Sequence, residues 1–307
     1  MNRTTTLVTV FFEAERELLR LQARSLDRFW HTPAPDRILV IDNSKRKTSK
    51  RWRNQLLSDY GQYRDRVTFI DADDIVPPLG DGWVRQQLLK LAISEHISTD
   101  SYLDLDAKNH LIADFDASRL HGSDGRFHLR RIDYREHPLR ERVLRVIDFL
   151  NLDPKLLDSP LPSTTTPFVF DRAEAANLWL ELNQNGDASR VFNEAQLIEF
   201  VLYGLWLLRE ERLETVHDTQ PIDCLALWPK HRSEIAVQSI LTSADSAAFL
   251  SVHRSSLARM TLRAGAVLAG FWTDRGLFNS RAAAWAFWSR ARGQVLANAV
   301  RQRLARR

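Results

Sequence analysis

The chain has 307 residues, 44% hydrophobic and 27% charged, which supplies enough apolar side chain for a sizeable core and excludes disorder over its whole length. Its single cysteine, Cys224, excludes an internal disulfide and a cysteine-held zinc or iron–sulfur centre, and suits a reducing compartment. The net charge of +4 is modest but uneven: after residue 250 come Arg254, Arg259, Arg263, Arg275, Arg281, Arg290, Arg292, Arg301, Arg303, Arg306 and Arg307, against the single acid Asp274.

Met1-Asn2-Arg3 leads into a short apolar stretch that Glu13, Glu15 and Arg16 cut off, a pattern without a signal-peptide core. No stretch reaches the ~20 apolar residues of a spanning helix. The expectation is a cytoplasmic protein, soluble or peripheral at the inner face of the membrane.

In chain order, Leu7–Phe12, Arg37–Asp42, Arg66–Asp71 and Ser101–Asp106 read as strands, separated by helical spacing over Ala14–Phe29, Ser49–Tyr60 and Gly82–His96. This alternation predicts an α/β fold with an open, mainly parallel sheet covered by helices on both faces. Three of the strands end in acids, Asp42, Asp71 and Asp106, at the side of such a sheet where ligands bind. A less regular middle follows, with strands over Leu111–Phe115, Phe127–Arg131 and Pro167–Asp171, a helix over Arg140–Leu150 and a proline-rich loop over Asp158–Pro167. Downstream, Arg172–Gln184, Asn193–Glu211 and Ser233–Leu241 read as helices, and Ile222–Trp228 and Ala248–His253 as strands. From Ser255 the pattern is helical to the end, broken near Asp274–Asn279. The expected division is a domain over 1–254 and a basic, aromatic-rich helical extension over 255–307.

The sharpest chemical signal is Tyr102-Leu103-Asp104-Leu105-Asp106-Ala107-Lys108, an apolar strand ending in two carboxylates one residue apart. Such a DxD pair can hold Mn²⁺ or Mg²⁺ through hard oxygens and leave positions open for a diphosphate; the bland reading is a solvated turn with capping aspartates. His253, after the strand-like Phe249-Leu250-Ser251-Val252, offers a nitrogen that would complete the metal site, or simply packs. On the helix from Gly82, Gln86 or Gln87 shares a side with Lys90, amides to read a ligand and an ammonium to neutralise phosphate, unless this is only a surface face. Glu194, at the start of the helix Ala195–Arg209, is the candidate base for an acceptor hydroxyl; an acid there also just complements the helix dipole. Thr165 and Thr166, in Ser163-Thr164-Thr165-Thr166-Pro167, present hydroxyls to a sugar or form a turn.

Taken together, Gly82-Trp83…Gln86-Gln87…Lys90-Leu91, Leu103-Asp104-Leu105-Asp106-Ala107-Lys108-Asn109, Thr166-Pro167, Asn193-Glu194…Leu202-Tyr203-Gly204 and Ser251-Val252-His253-Arg254 form an ordered set. It resembles the DUF6492-type family of bacterial GT-A-like glycosyltransferases, often found with surface-polysaccharide genes, and the similarity runs from about Leu7 to Arg254. The resemblance implies a GT-A-like fold, Rossmann-like with a mixed central sheet flanked by helices, and transfer of a sugar from a nucleotide-sugar donor to a hydroxyl of a glycan or lipid-linked acceptor. It would place the nucleotide near Thr9, Phe11 and Asp42, with Asp71 close by, and set Asp104, Asp106 and His253 on a metal. Asp106 and Glu194 would serve the chemistry. Lys108, directly beyond the acids, departs from that pattern and could itself neutralise a diphosphate.

Two other readings compete: a metal-dependent phosphohydrolase using the same acids, and a non-catalytic protein whose basic tail grips an anionic polymer. No zinc-finger, RRM or helix-turn-helix pattern supports nucleic acid. In the tail, Phe271, Trp272, Phe278, Trp285, Phe287 and Trp288 lie among the arginines, as at the headgroup level of an anionic membrane or as in a helix docked on the domain.

Overall fold

A computed structural model describes residues 4–78, 82–184 and 186–304. The opening Met1-Asn2-Arg3 and the terminal Arg306 and Arg307 lie outside the described residues. The first half follows the expected alternation: β1 (Thr6–Phe11), α1 (Arg16–Phe29), β2 (Ile38–Asp42), α2 (Lys50–Asp59), β3 (Val67–Asp71), α3 (Gly82–Ala92) and β4 (Ser101–Asp104). The middle contributes β5 (Asn109–Leu111), β6 (Phe127–His128), β7 (Arg131–Ile132), α4 (Arg140–Phe149), β8 (Leu161–Pro162), β9 (Phe168–Asp171) and α5 (Arg172–Gln184). Then come α6 (Ala188–Glu194), α7 (Glu199–Arg209), α8 (Leu213–Val216), β10 (His217–Asp218), β11 (Cys224–Leu227), α9 (Glu234–Leu241) and β12 (Phe249–Val252). The chain closes with α10 (Arg254–Arg259), α11 (Leu262–Asp274) and α12 (Arg281–Leu304).

The main sheet has the order β3-β2-β1-β4-β9, parallel except for β9, which runs antiparallel to β4. β1 and β2 are buried throughout, which is why they read as unbroken apolar runs instead of alternating ones. β2 and β4 lie on opposite sides of β1, so the strand order reverses there and opens a crevice at the carboxyl ends. A second sheet, β11-β12-β5, stands beside it. The chain passes from one sheet to the other through Leu105-Asp106-Ala107-Lys108, so the acidic turn lies at their junction.

The loop expected over Asp158–Pro167 holds the short strand β8, the helix expected to His96 ends at Ala92, and four further boundaries differ near the site. The strand expected to reach Asp106 stops at Asp104: Leu105 N–H still donates to Val8 O, but Asn109 N–H then donates to Asp106 O and closes a turn. The strand expected over Leu111–Phe115 begins at Asn109, where pairing with β12 aligns Ser251 with Asn109 and Phe249 with Leu111. Phe127–Arg131 splits into β6 and β7, which pair with different partners, β10 and β8. The helix expected over Asn193–Glu211 is two helices, broken where Gln196 takes a positive φ of 53°.

The extension is docked. Trp272, Phe287 and Trp288 are buried, and Trp272 Nε1 donates to His110 Nε2 at 3.0 Å, tying α11 to β5. Gly265 lies against Trp288 so closely that an added Cβ would meet the indole at 2.4 Å, hence no larger residue fits there without moving that ring. Of the two readings of these aromatics, Trp272, Phe287 and Trp288 follow the docked one: burying a large apolar side chain is worth about 1.5–3 kcal/mol, and the domain already provides that burial. No single helix among the described residues is long and apolar enough to cross a membrane; α6 and α7 reach that length only across a 101° bend, and α7 is largely buried.

Burial pushes the His110 imidazole down to about 3, and as a neutral ring it accepts the Trp272 bond. An unfolded histidine binds its proton near pH 6.5, so between about 6.5 and 3 the unfolded chain holds the extra proton. This contribution to stability is complete above about pH 6.5 and declines as pH falls. Thermal melts across that window should show a steeper acid loss in the wild type than in His110→Gln; parallel curves would refute the assignment.

Candidate active site

At the carboxyl end of β4, Lys90 Nζ from α3 reaches Asp104 Oδ2 at 2.9 Å, Asp106 Oδ1 at 2.9 Å and Glu199 Oε1 at 3.3 Å. Its side chain is 3% exposed and also lies 4.6 Å from the centre of the Phe200 ring. Lys108 Nζ takes the other Asp106 oxygen at 2.5 Å and sits 5.9 Å from the centre of the Trp228 ring. Glu15, just after β1, pairs with Arg254 at 2.9 Å on the flank of this group.

Burial opposes the charge on Lys90, but Asp104, Asp106 and Glu199 outweigh it and hold the ammonium well above the ordinary lysine range. Burial pushes the Asp104 carboxyl up to about 7 against the pull of Lys90, and raises Glu199 in the same way. Burial would also raise Asp106, but Lys108 and Lys90 together pull it well below the usual carboxylate range. Two ammonium groups thus face three carboxylates. Asp106 is the permanent anion, and Asp104 is the acid that shares a proton near neutrality.

The turn is held from below by amides. Gln22 of α1 donates to the Asp106 and Asn109 carbonyls, at 2.9 and 3.1 Å, while accepting from Thr9 Oγ1. Asn109 Oδ1 accepts from Asp106 N–H at 2.8 Å and from Thr166 Oγ1 at 2.6 Å. Gln87 Oε1 accepts from Glu199 N–H at 3.4 Å, fixing the first turn of α7 against α3.

Beside Lys108 opens a cavity of about 140 Å³ lined by His128, Arg130, Ser163, Thr165, Thr166, Cys224, Trp228 and Ser251 among others. That is small beside the ~300–1,000 Å³ of a drug-sized site, and suits one sugar ring more than a whole nucleotide sugar. His128 Nδ1 lies 2.9 Å from Asp218 Oδ1 and 3.0 Å from Oδ2. With Nδ1–H donated to that carboxylate, Nε2 is the lone-pair nitrogen. A larger depression of about 640 Å³ between α9 and α11 holds no comparable carboxylate–lysine cluster.

The structure brings together Asp104, Asp106, Gln86, Lys90 and Lys108, Gln86 Nε2 lying 3.4 Å from Asp106 Oδ1. Thr165 and Thr166 line the cavity, Thr165 exchanging a 2.7 Å bond with Ser163. Other expected residues are occupied with the fold. Thr9 is buried and bonded to Gln22; Phe11 is fully buried and stacks on Trp52; Gln87 is 2% exposed and supports α7. Asp42 is buried and accepts from Ser44 N–H, Thr48 N–H and Thr48 Oγ1, so it shapes the loop after β2. Asp71 is partly exposed and meets Lys47 Nζ at 2.6 Å.

Glu194 is a correction in position. It ends α6 with an exposed side chain, because the helix breaks behind it, and the carboxylate in the cluster belongs to Glu199, the first residue of α7. An acid in a first helical turn does join the cluster, but the helix that supplies it starts five residues further on. His128, Asp218 and Glu15 carried no local signal; their partners are 90 and 239 residues away.

His253 caps α10, its Nδ1 accepting from Ser255 N–H at 3.2 Å, and burial with the charges of Lys108 and Arg254 pushes its imidazole down to about 4. Among the described residues no group of three His, Cys, Asp or Glu side chains is arranged to hold a metal ion. Asp104 Oδ1 is nevertheless buried without a hydrogen-bond partner among them, an oxygen that a cation would satisfy.

In the galactosyltransferase LgtC, solved with donor and acceptor sugar analogues, 97% of the chain is covered by 90% of this one, with a TM-score of 0.55 and 11% identity. The bifunctional glycosyltransferase WbbM gives a TM-score of 0.48 at 9% identity over 82% of this chain, which spans 46% of that longer protein. No curated protein matches the sequence. The likeness to LgtC is one of fold, and that fold is GT-A-like, as expected. Residues 78–240, more than half the chain and including Lys90, Asp104, Asp106, Lys108 and Glu199, match DUF6492, a family of unknown function, and the chain belongs to that family.

Proposed function

We propose that this protein is a glycosyltransferase that moves a sugar from a nucleotide-sugar donor to a hydroxyl of a glycan or lipid-linked acceptor. The observation that carries the reading is the Lys90–Asp104–Asp106–Lys108 cluster at the strand-order reversal, beside a hydroxyl-lined cavity. The metal triplet of Asp104, Asp106 and His253 reduces in this reading to the two aspartates. They would hold Mn²⁺ or Mg²⁺ with ligand oxygens completing the shell, and the ion would supply charge neutralisation to the diphosphate. Residues 1–254 are the catalytic unit and 255–307 the extension.

The donor diphosphate enters from the side of Asp71 and Lys47 and draws Lys108, the more exposed of the two lysines, off Asp106. As the bond from the anomeric carbon to the diphosphate breaks, negative charge grows on the leaving oxygen, and Lys108 meets it. The acceptor hydroxyl, held by Thr165 and Thr166, forms the new bond to that carbon. Its proton passes to His128 Nε2, which Asp218 orients. Lys90 stays behind, holding Asp104 and Glu199 in place.

A thermal-shift series over nucleotide sugars, with and without Mn²⁺, tests the reading. One donor should raise the apparent stability by about 2.7 kcal/mol at a hundred times its dissociation constant, and Asp106→Ala should abolish that rise. No response from any nucleotide sugar would overturn it.

A further inference from the structure

With Trp272 and Trp288 buried, a different apolar surface remains on the extension. Leu296, Val300 and Leu304 follow one another at successive turns of α12 and are 45%, 56% and 66% exposed. Gly293, two turns before Val300, opens onto empty space, and Ala286 and Ala297 on the same side are exposed as well. Arg290 and Arg301, three turns apart, run along one flank of this row, Arg290 also lying 3.8 Å from Glu17, and Arg281 marks the other flank, where the half-buried Arg292 stacks on Trp288. α12 contains no acid.

We propose that this face of α12 is a peripheral membrane contact that seats the protein on an anionic bilayer. An apolar row flanked by arginines is the arrangement in which aliphatic side chains enter the acyl boundary while guanidinium groups meet lipid phosphates. Charge chooses between occupants. A second copy packed on the same face would bring arginine rows together with no spare acid between them, since Asp274 and Glu17 each already lie 3.8 Å from an arginine of their own chain, Arg281 and Arg290. A nucleic acid would satisfy the arginines but leave Leu296, Val300 and Leu304 against phosphate, with nothing gained from their apolar surface. Only a lipid surface uses both parts. The inference does not depend on the glycosyltransferase reading, because none of these residues touches the lysine–carboxylate cluster.

Co-sedimentation of the full chain with vesicles tests it. The protein should bind vesicles containing phosphatidylglycerol, bind pure phosphatidylcholine far less, and be released by salt. Val300→Glu combined with Leu304→Glu should weaken binding about tenfold or more, and Arg301→Glu roughly fivefold, with circular dichroism and melting temperature unchanged because all three side chains are exposed. Failure of the wild type to bind anionic vesicles, or equal binding by the glutamate variants, would overturn the proposal. So would a dimer in gel filtration that the glutamate variants split, or binding to DNA as tight as to vesicles.

Discussion

Replacing Lys90 with methionine should cost the protein about 3–5 kcal/mol in denaturant unfolding, the largest effect expected of any single exposed-charge or buried-charge change described above. Methionine fills the same unbranched space, so the loss comes from charge rather than from a cavity. Asp104, Asp106 and Glu199 would remain in the dry pocket without the ammonium they share, and Asp104 and Glu199 have no other cation within ion-pair distance among the described residues. The deficit carries a pH signature. Carboxyls whose pKa is raised in the folded state are stabilised by protonation, so the gap from wild type should narrow as pH falls from neutrality towards the ordinary carboxylate range. A cost below about 1 kcal/mol, with no pH dependence, would mean that the pocket is wet and the three contacts are surface pairs.

Asp106→Asn should instead spare the fold and remove the reaction. The amide keeps the volume, and Lys90 keeps Asp104 and Glu199, so the melting temperature should move by only a few degrees for a chain of this size. Turnover should fall about 10²–10³-fold, because the variant loses the anion that holds Lys108 in place before the diphosphate arrives. His128→Gln separates the chemistry from donor binding: turnover should drop about 10²–10⁴-fold while the stabilisation by nucleotide sugar stays as in the wild type. If both variants turn over within tenfold of wild type, the cluster is structural and the reaction lies elsewhere.

The site was legible in proportion to how local its contacts are. Asp104, Asp106 and Lys108 lie within five consecutive residues at a strand end, and Lys90 is one helix earlier, so period and spacing brought them together on paper. Thr9 and Phe11 have side chains taken up by packing, because a strand buried on both faces has no free side; their position at the crevice says nothing about which groups the packing has already used. Glu194 falls outside the cluster for a different reason. Leu197-Ile198 continues the apolar spacing of both neighbouring helices, so periodicity runs smoothly through a break that Gln196 makes in the backbone. His128 and Asp218 meet through two short strands paired in parallel across 90 residues, a contact no local pattern announces.

The Asp104-Leu105-Asp106 turn shows where the division falls. By itself the sequence determined that an apolar strand ends in these acids, that α/β alternation precedes them, and that the tail is basic, since each of these follows from composition and short-range periodicity. Only the tertiary structure decided that Lys90 and Lys108 hold the acids, that Glu199 rather than Glu194 joins them, and that Trp272 and Trp288 of the tail are core while Leu296, Val300 and Leu304 face outward. Those outcomes depend on which surfaces meet across long stretches of chain. Burial there sets the strength of every charge, and burial is a property of the packed molecule, not of any segment.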